Sequence, residues 1–182
     1  AERAATRAQA TLLVFFGGAF AFLWAIERNK NSGLGVALLL AFTFFMGLML
    51  SRLVGAVLGL KNGGDLVMMA FGGTAIIFAA MATLGTVIRR DLSARGKFLF
   101  VGALVVMIGA IAAAFLQVPA LTLTILVLCL AIFSAYMLYD INQIVTGGET
   151  NYVSATLALY LDIFNVFQSL LALLGIFGGE RD

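Results

Sequence analysis

The sequence predicts an all-α polytopic membrane protein with six transmembrane helices in this chain, and two observations carry that prediction. Of its 182 residues, 63% are hydrophobic and 11% charged, with a mean hydropathy of +1.09, against ~45–50% apolar and ~25% charged in soluble domains. A soluble fold of this size could not hide so much apolar surface. The apolar residues also fall into six stretches, roughly 9–27, 34–59, 65–88, 97–117, 120–143 and 153–178. Each meets or approaches the ~20 residues a helix needs to cross a bilayer core. Residues 1–182 read as a single transmembrane helical domain, without a soluble module, long linker or heptad repeat.

The connections carry the punctuation. ERNKNSG follows the first stretch, KNGGD the second, RRDLSARGK the third and TGGETN the fifth. Between the fourth and fifth stands only Gln117-Val118-Pro119, which predicts a tight antiparallel hairpin. Small residues recur at Gly55-x-x-x-Gly59, Gly72-Gly73 and Gly109-Ala110, where backbones in lipid can approach closely. Arg52 interrupts the second stretch near its outer end, where it is expected to snorkel. Trp24 and Tyr152 suit an interfacial belt, and the phenylalanines read as lipid-facing or core material.

Lysine and arginine in short loops set the orientation. Arg28, Lys30, Arg89, Arg90, Arg95 and Lys97 lie on one side, and Arg3, Arg7, Lys61 and Arg181 on the other. The richer side is read as cytoplasmic, with loops 28–33, 89–97 and 144–152 on it. Both ends of the chain then face outward, and a seventh helix ahead of Ala1 would return the N-terminus to the cytoplasm.

Composition also narrows function. The sequence has no histidine, so it lacks the usual pH switch and the commonest metal ligand. pH sensing near neutrality would have to come from a carboxylate, and a zinc or haem centre is disfavoured. The single Cys129 has no partner for an internal disulfide. A net charge of +2 gives no reason to expect nucleic acid, and no tightly bound cofactor is expected.

Two charges lie where charges are costly. Asp140, in AYMLYDINQI, and Asp162, in LALYLDIFNVF, fall inside the last two apolar stretches. An ionisable residue at membrane depth is by default a functional hypothesis. The two stretches enclose TGGETN and should be antiparallel neighbours, with the aspartates at similar depth if the fifth helix continues through Ile144. Asp162, Asn165 and Ser169 stand at i, i+3 and i+7, one face of a helix. Asn142 and Gln143 are expected to set amide oxygens beside Asp140. Two carboxyls close together in a dry site cannot both ionise cheaply and would share a proton. Losing it would leave a cation site, and carboxylates with amide oxygens and water are ligands that calcium accepts. The alternative is two unrelated acids, each paired with a base or capping a broken helix. Arg28, on the same side as Asp140, could reach inward as a salt-bridge latch, or simply snorkel.

Leu138-Tyr139-Asp140-Ile141-Asn142-Gln143-Ile144, followed by Ala158-Leu159-Tyr160-Leu161-Asp162-Ile163-Phe164-Asn165, resembles the paired C-terminal motifs of the Bax-inhibitor (transmembrane Bax-inhibitor-motif) family. The resemblance continues through FTFFMGLMLS, MAFGGTAIIF and RRDLSARGKFLF, and GGETNY and LQVPALTL resemble its bacterial YccA-like branch. It implies a seven-helix bundle around the last helix, with the first helix ahead of this chain, in the bacterial inner membrane. It further implies a pH-sensitive calcium leak with Asp140 and Asp162 as the proton sensor and calcium ligands, and Arg28, by position, as the latch. The branch is also linked to the FtsH-type membrane AAA+ protease, as substrate and modulator.

Three functions therefore compete. The first is a calcium leak channel or exchanger gated by the di-aspartate. The second is a regulatory membrane protein that binds the FtsH-type protease, with its signal in an N-terminal cytosolic tail ahead of Ala1. The third is an intramembrane aspartyl protease, suggested by Tyr139-Asp140 and Pro119-Ala120-Leu121. That class needs Gly-x-Gly-Asp where this chain has Leu-Tyr-Leu-Asp, and its Pro-Ala-Leu follows both aspartates instead of preceding them. The chain is accordingly read as non-enzymatic.

Overall fold

Long apolar runs with almost no proline fold as uninterrupted helices. The structure, a computed structural model, describes residues 2–179, with side chains from Val14 onward. Its helices are α1 (Glu2–Asn29), α2 (Gly33–Leu58), α3 (Gly63–Val87), α4 (Ser93–Leu116), α5 (Pro119–Thr146) and α6 (Tyr152–Phe177). Five of them, α2 to α6, are long and apolar enough to cross a membrane, and α1 contains the whole expected stretch 9–27. Arg181 and the side chains of Arg3 and Arg7, used above for orientation, lie outside the described residues.

Helix bodies fall where hydropathy puts them, whereas three ends do not. α4 begins at Ser93 instead of 97, α5 runs to Thr146 instead of 143, and α1 begins at Glu2 instead of 9. Hydropathy marks what belongs in lipid, but a helix continues into the headgroups wherever its residues allow. Arg95 and Lys97 are good helix formers, and α5 ends at Gly147, which takes the left-handed conformation at φ 81°.

Packing separates two compact units, residues 1–52 with 151–154 and residues 53–150 with 155–182. In the first, aromatic rings join α1 to α2. Phe15 stacks on Phe45 at 6.0 Å, and Phe22 meets Phe42 at 5.8 Å and Phe45 at 5.5 Å. Asn151 starts α6 as its cap, accepting the Val153 and Ser154 N–H groups at 3.0 Å. Its amide nitrogen donates to Asn31 Oδ1 at 2.7 Å and to the Lys30 carbonyl at 3.2 Å.

In the second unit α5 packs against both α3 and α4. Val57, Leu66, Ala70 and Leu171 form a buried cluster from the end of α2, α3 and α6. α6 is the most buried span, with a third of its apolar window covered against 6–22% for the others. The predicted hairpin is present: Gln117 takes the left-handed conformation at φ 52°, its N–H bonds the Ala113 carbonyl, and Pro119 opens α5. Glycines mark close approach only in part. Gly109 and Gly73 face Ile125 and Leu170, whereas nothing lies within 4 Å of the place a Gly55 side chain would take.

Gly63 is the most constrained of them. A methyl there would stand 2.1 Å from the Val57 carbonyl oxygen and 2.7 Å from Leu58 Cα, backbone that cannot step aside as a side chain can. Gly63→Ala is expected to destabilise the protein by about 1–3 kcal/mol, the usual range for overpacking, read as a lower thermal midpoint in detergent. An unchanged midpoint would show that the α2–α3 turn relaxes freely.

Candidate functional site

The carboxyl groups of Asp140 and Asp162 meet between α5 and α6 and form a side-chain hydrogen bond. Helix lengths allow the meeting. Asp140 stands six residues before the end of α5 and Asp162 ten residues after the start of α6, ~9 and ~15 Å at 1.5 Å per residue. Asp162 is 3% exposed and its Oδ2 finds no donor among the described residues. Two carboxyls this close in a dry site cannot both ionise cheaply, which is the chemistry the pair can offer. Tyr136, one turn ahead of Asp140, lies within electrostatic reach of both.

A polar line leads away from the pair along α6. Ser169 is 2% exposed, and its hydroxyl hydrogen-bonds Cys129. The Cys129 thiol also donates to Asn165 Oδ1 at 4.0 Å, while Asn165 Nδ2 donates to the Leu161 carbonyl at 2.8 Å. The stripe of Asp162, Asn165 and Ser169 thus faces α5. Cys129 belongs to it, although from sequence it is merely a thiol in an apolar run.

Asn142 and Gln143 do something other than the sequence suggests. They are 0% and 9% exposed, and their amides hold the α3–α4 connector instead of flanking Asp140. Asn142 Nδ2 donates to the Ile88 carbonyl at 2.7 Å, and its Oδ1 accepts the Leu92 N–H at 3.3 Å. Gln143 Nε2 donates to Asp91 Oδ1 at 3.3 Å. The Ser93 hydroxyl donates to the same Asp91 oxygen and lies 3.2 Å from Gln143 Oε1. The reason is angular. Each residue turns the helix by ~100°, so Asn142 and Gln143 point ~200° and ~300° round from Asp140. Asp91 was unremarkable in sequence among four basic neighbours. The hydroxyl of Ser93, then its N–H and the Gln143 amide, hold its carboxyl below the ordinary 3.8.

Arg28 is exposed at the end of α1, its guanidinium 5.2 Å from the centre of the Trp24 ring. Pro119-Ala120-Leu121 opens α5, twenty-one residues before Asp140, or ~31 Å along the helix. The protease-like tripeptide is therefore remote from the paired acids. Among the described residues no three or more Asp, Glu, Cys or His side chains gather as a metal cage.

The family described as inhibitor of apoptosis-promoting Bax1 matches residues 3–179. The modulator of FtsH protease YccA of Escherichia coli K12 is 37% identical over 164 residues, 90% of this chain and 74% of that protein. The inner membrane protein YccA of Escherichia coli O6:H1 matches with the same identity and coverage. An uncharacterized protein of Neisseria meningitidis serogroup A is 37% identical over 171 residues, 94% of this chain and 74% of the relative. With that match along nearly its whole length and five helices fit to cross a bilayer, the chain belongs to the Bax inhibitor family, beside its bacterial YccA-like members, as a multi-pass inner-membrane protein.

Proposed function

We propose that this chain is a regulatory membrane protein, with no catalytic activity of its own, that binds and modulates an FtsH-type membrane protease. The observation that carries the reading is its 37% identity, over 90% of its length, to a protein named as a modulator of that protease. The test is co-purification of the tagged chain with the FtsH-type protease from inner membranes, together with the rate at which the protease degrades a membrane substrate. Co-purification is expected to persist in Asp140→Asn and Asp162→Asn. Failure to recover the protease, together with an unchanged degradation rate, would reject the reading.

The paired acids support a second reading, a pH-sensitive calcium leak or exchanger. Asp140 and Asp162 would act as proton sensor and transient calcium ligands, with calcium as passing cargo. The line of Asn165 and Ser169 would offer polar contacts along the path, and Arg28 would serve as a latch. In this reading the proton shared by the pair keeps the path closed. Its loss as pH rises puts two negative charges at one point, which loosens α5 from α6 and attracts a cation. The two roles are compatible, because the protease contact need not involve the pair.

A further inference from the structure

In the sequence, the cations of the α3–α4 connector and the first turns of α4 serve only to orient the chain. In the structure Arg89, Arg90, Arg95 and Lys97 are all exposed, and none forms an ion pair among the described residues, where the pair found joins Lys30 to Glu27. The carboxylate within their stretch, Asp91, is taken up by neutral donors on Ser93 and Gln143. The four positive charges are therefore available to something outside the chain.

Three features say what that is. The connector is five residues, 88–92, between the end of α3 and the start of α4, too short to lift charges clear of the level where the spans end. Apolar surface brackets it, with Val87 70% and Phe98 76% exposed, so the cations stand where lipid-facing surface gives way to headgroups. The backbone between them is fixed, because buried Asn142 holds Ile88 and Leu92, and Gln143 holds Asp91. A fixed backbone presents the charges at constant spacing, which saves the ordering that a loose loop would need on binding.

We propose that residues 89–97 form a binding site for the phosphate headgroups of anionic phospholipids. The planar guanidiniums of Arg89, Arg90 and Arg95 can each take two phosphate oxygens, with the Lys97 ammonium as a point charge. Each such cation near an anionic surface adds roughly fivefold to association. An acidic protein segment would fit less well, since the cations stand beside apolar surface at headgroup depth.

The test uses the purified full chain in a neutral detergent, titrated with phosphatidylglycerol or phosphatidylcholine, with retained lipid counted by native mass spectrometry. Phosphatidylglycerol is expected to be retained at least ~10-fold better. The double variants Arg89→Gln/Arg90→Gln and Arg95→Gln/Lys97→Gln should each lower that retention by an order of magnitude or so. Arg52→Gln/Lys61→Gln, the same charge change elsewhere on the chain, should leave it unchanged. Equal retention of the two lipids, or an equal loss in the Arg52/Lys61 control, would overturn the site. Displacement of the lipid by millimolar inorganic phosphate would overturn it in favour of a free-anion site. Unchanged lipid retention in the connector variants, with co-purified protease lost, would overturn it in favour of an acidic protein segment.

Discussion

Calcium flux through proteoliposomes carrying Asp162→Asn is expected to lose its dependence on pH, while the unsubstituted chain conducts more as pH rises from acid to neutral. Asp162 is the more buried acid, 3% exposed, and its carboxyl is hydrogen-bonded to that of Asp140. An asparagine fills the same space and can donate the hydrogen bond permanently, so α5 and α6 stay joined whatever the pH. It also removes the negative charge that would draw a cation between them. Coupling between one proton and one conformational step is typically worth about 5–150-fold in a population, and the closed state should gain by that order. Asp140→Asn should act in the same direction but less strongly, because Asp140 is only half-buried. Flux in either variant that follows pH as in the unsubstituted chain would reject the gated leak and leave the protease-modulator reading alone.

Loosening of the α3–α4 connector is the second large effect, expected from Asn142→Ala. Asn142 is fully buried and satisfies both the Ile88 carbonyl and the Leu92 N–H. Alanine removes both partners at once, and each backbone group left unpaired away from water costs about 1–3 kcal/mol. Amide hydrogen exchange at Leu92 should rise sharply and the thermal midpoint in detergent should fall. Asn142→Asp, which keeps the acceptor for Leu92 but loses the donor to Ile88, should leave Leu92 better protected than alanine does. Exchange at Leu92 that is equally slow in all three proteins would show that the connector does not depend on this amide.

The neighbouring Asp91 contact gives the clamp a pH dependence of known sign. Its carboxyl titrates below the ordinary 3.8 because Ser93 and Gln143 donate to its charged form. Its contribution is therefore present at and above the ordinary carboxylate range, and fades as pH falls through the lowered value. The clamp should stay intact across the range in which the paired acids are proposed to act. Acidification to neutral-to-mildly-acid pH would then act on Asp140 and Asp162 without undoing the connector.

Much of the candidate site was legible because lipid leaves so few places for polarity. Asp140 and Asp162 stand out from their apolar stretches as bare charges, and the i, i+3, i+7 spacing of Asp162, Asn165 and Ser169 fixes a common face before any neighbour is known. The short TGGETN link makes α5 and α6 sequential neighbours, so a meeting of the two acids could be anticipated. Nearness to Asp140 in sequence suggests that Asn142 and Gln143 flank it. On a helix that nearness means little: residues two and three positions on point elsewhere, here toward the connector they clamp. A thiol in an apolar run gives no sign that Cys129 faces Asn165 and Ser169.

The amino-acid sequence by itself determined the fold class, the helix bodies, the hairpin at Gln117-Val118-Pro119 and the two acids. Hydropathy and turn chemistry act within one segment, over a few residues, and need no partner. Only the tertiary structure decided which polar groups meet. The pairing of Asp140 with Asp162, the clamp of Asn142 and Gln143 on residues 88–93, and the polar line through Cys129 all join different helices. Each depends on the rotation of one helix against another, which is set by the packing of many side chains together and is written in no single stretch of the chain.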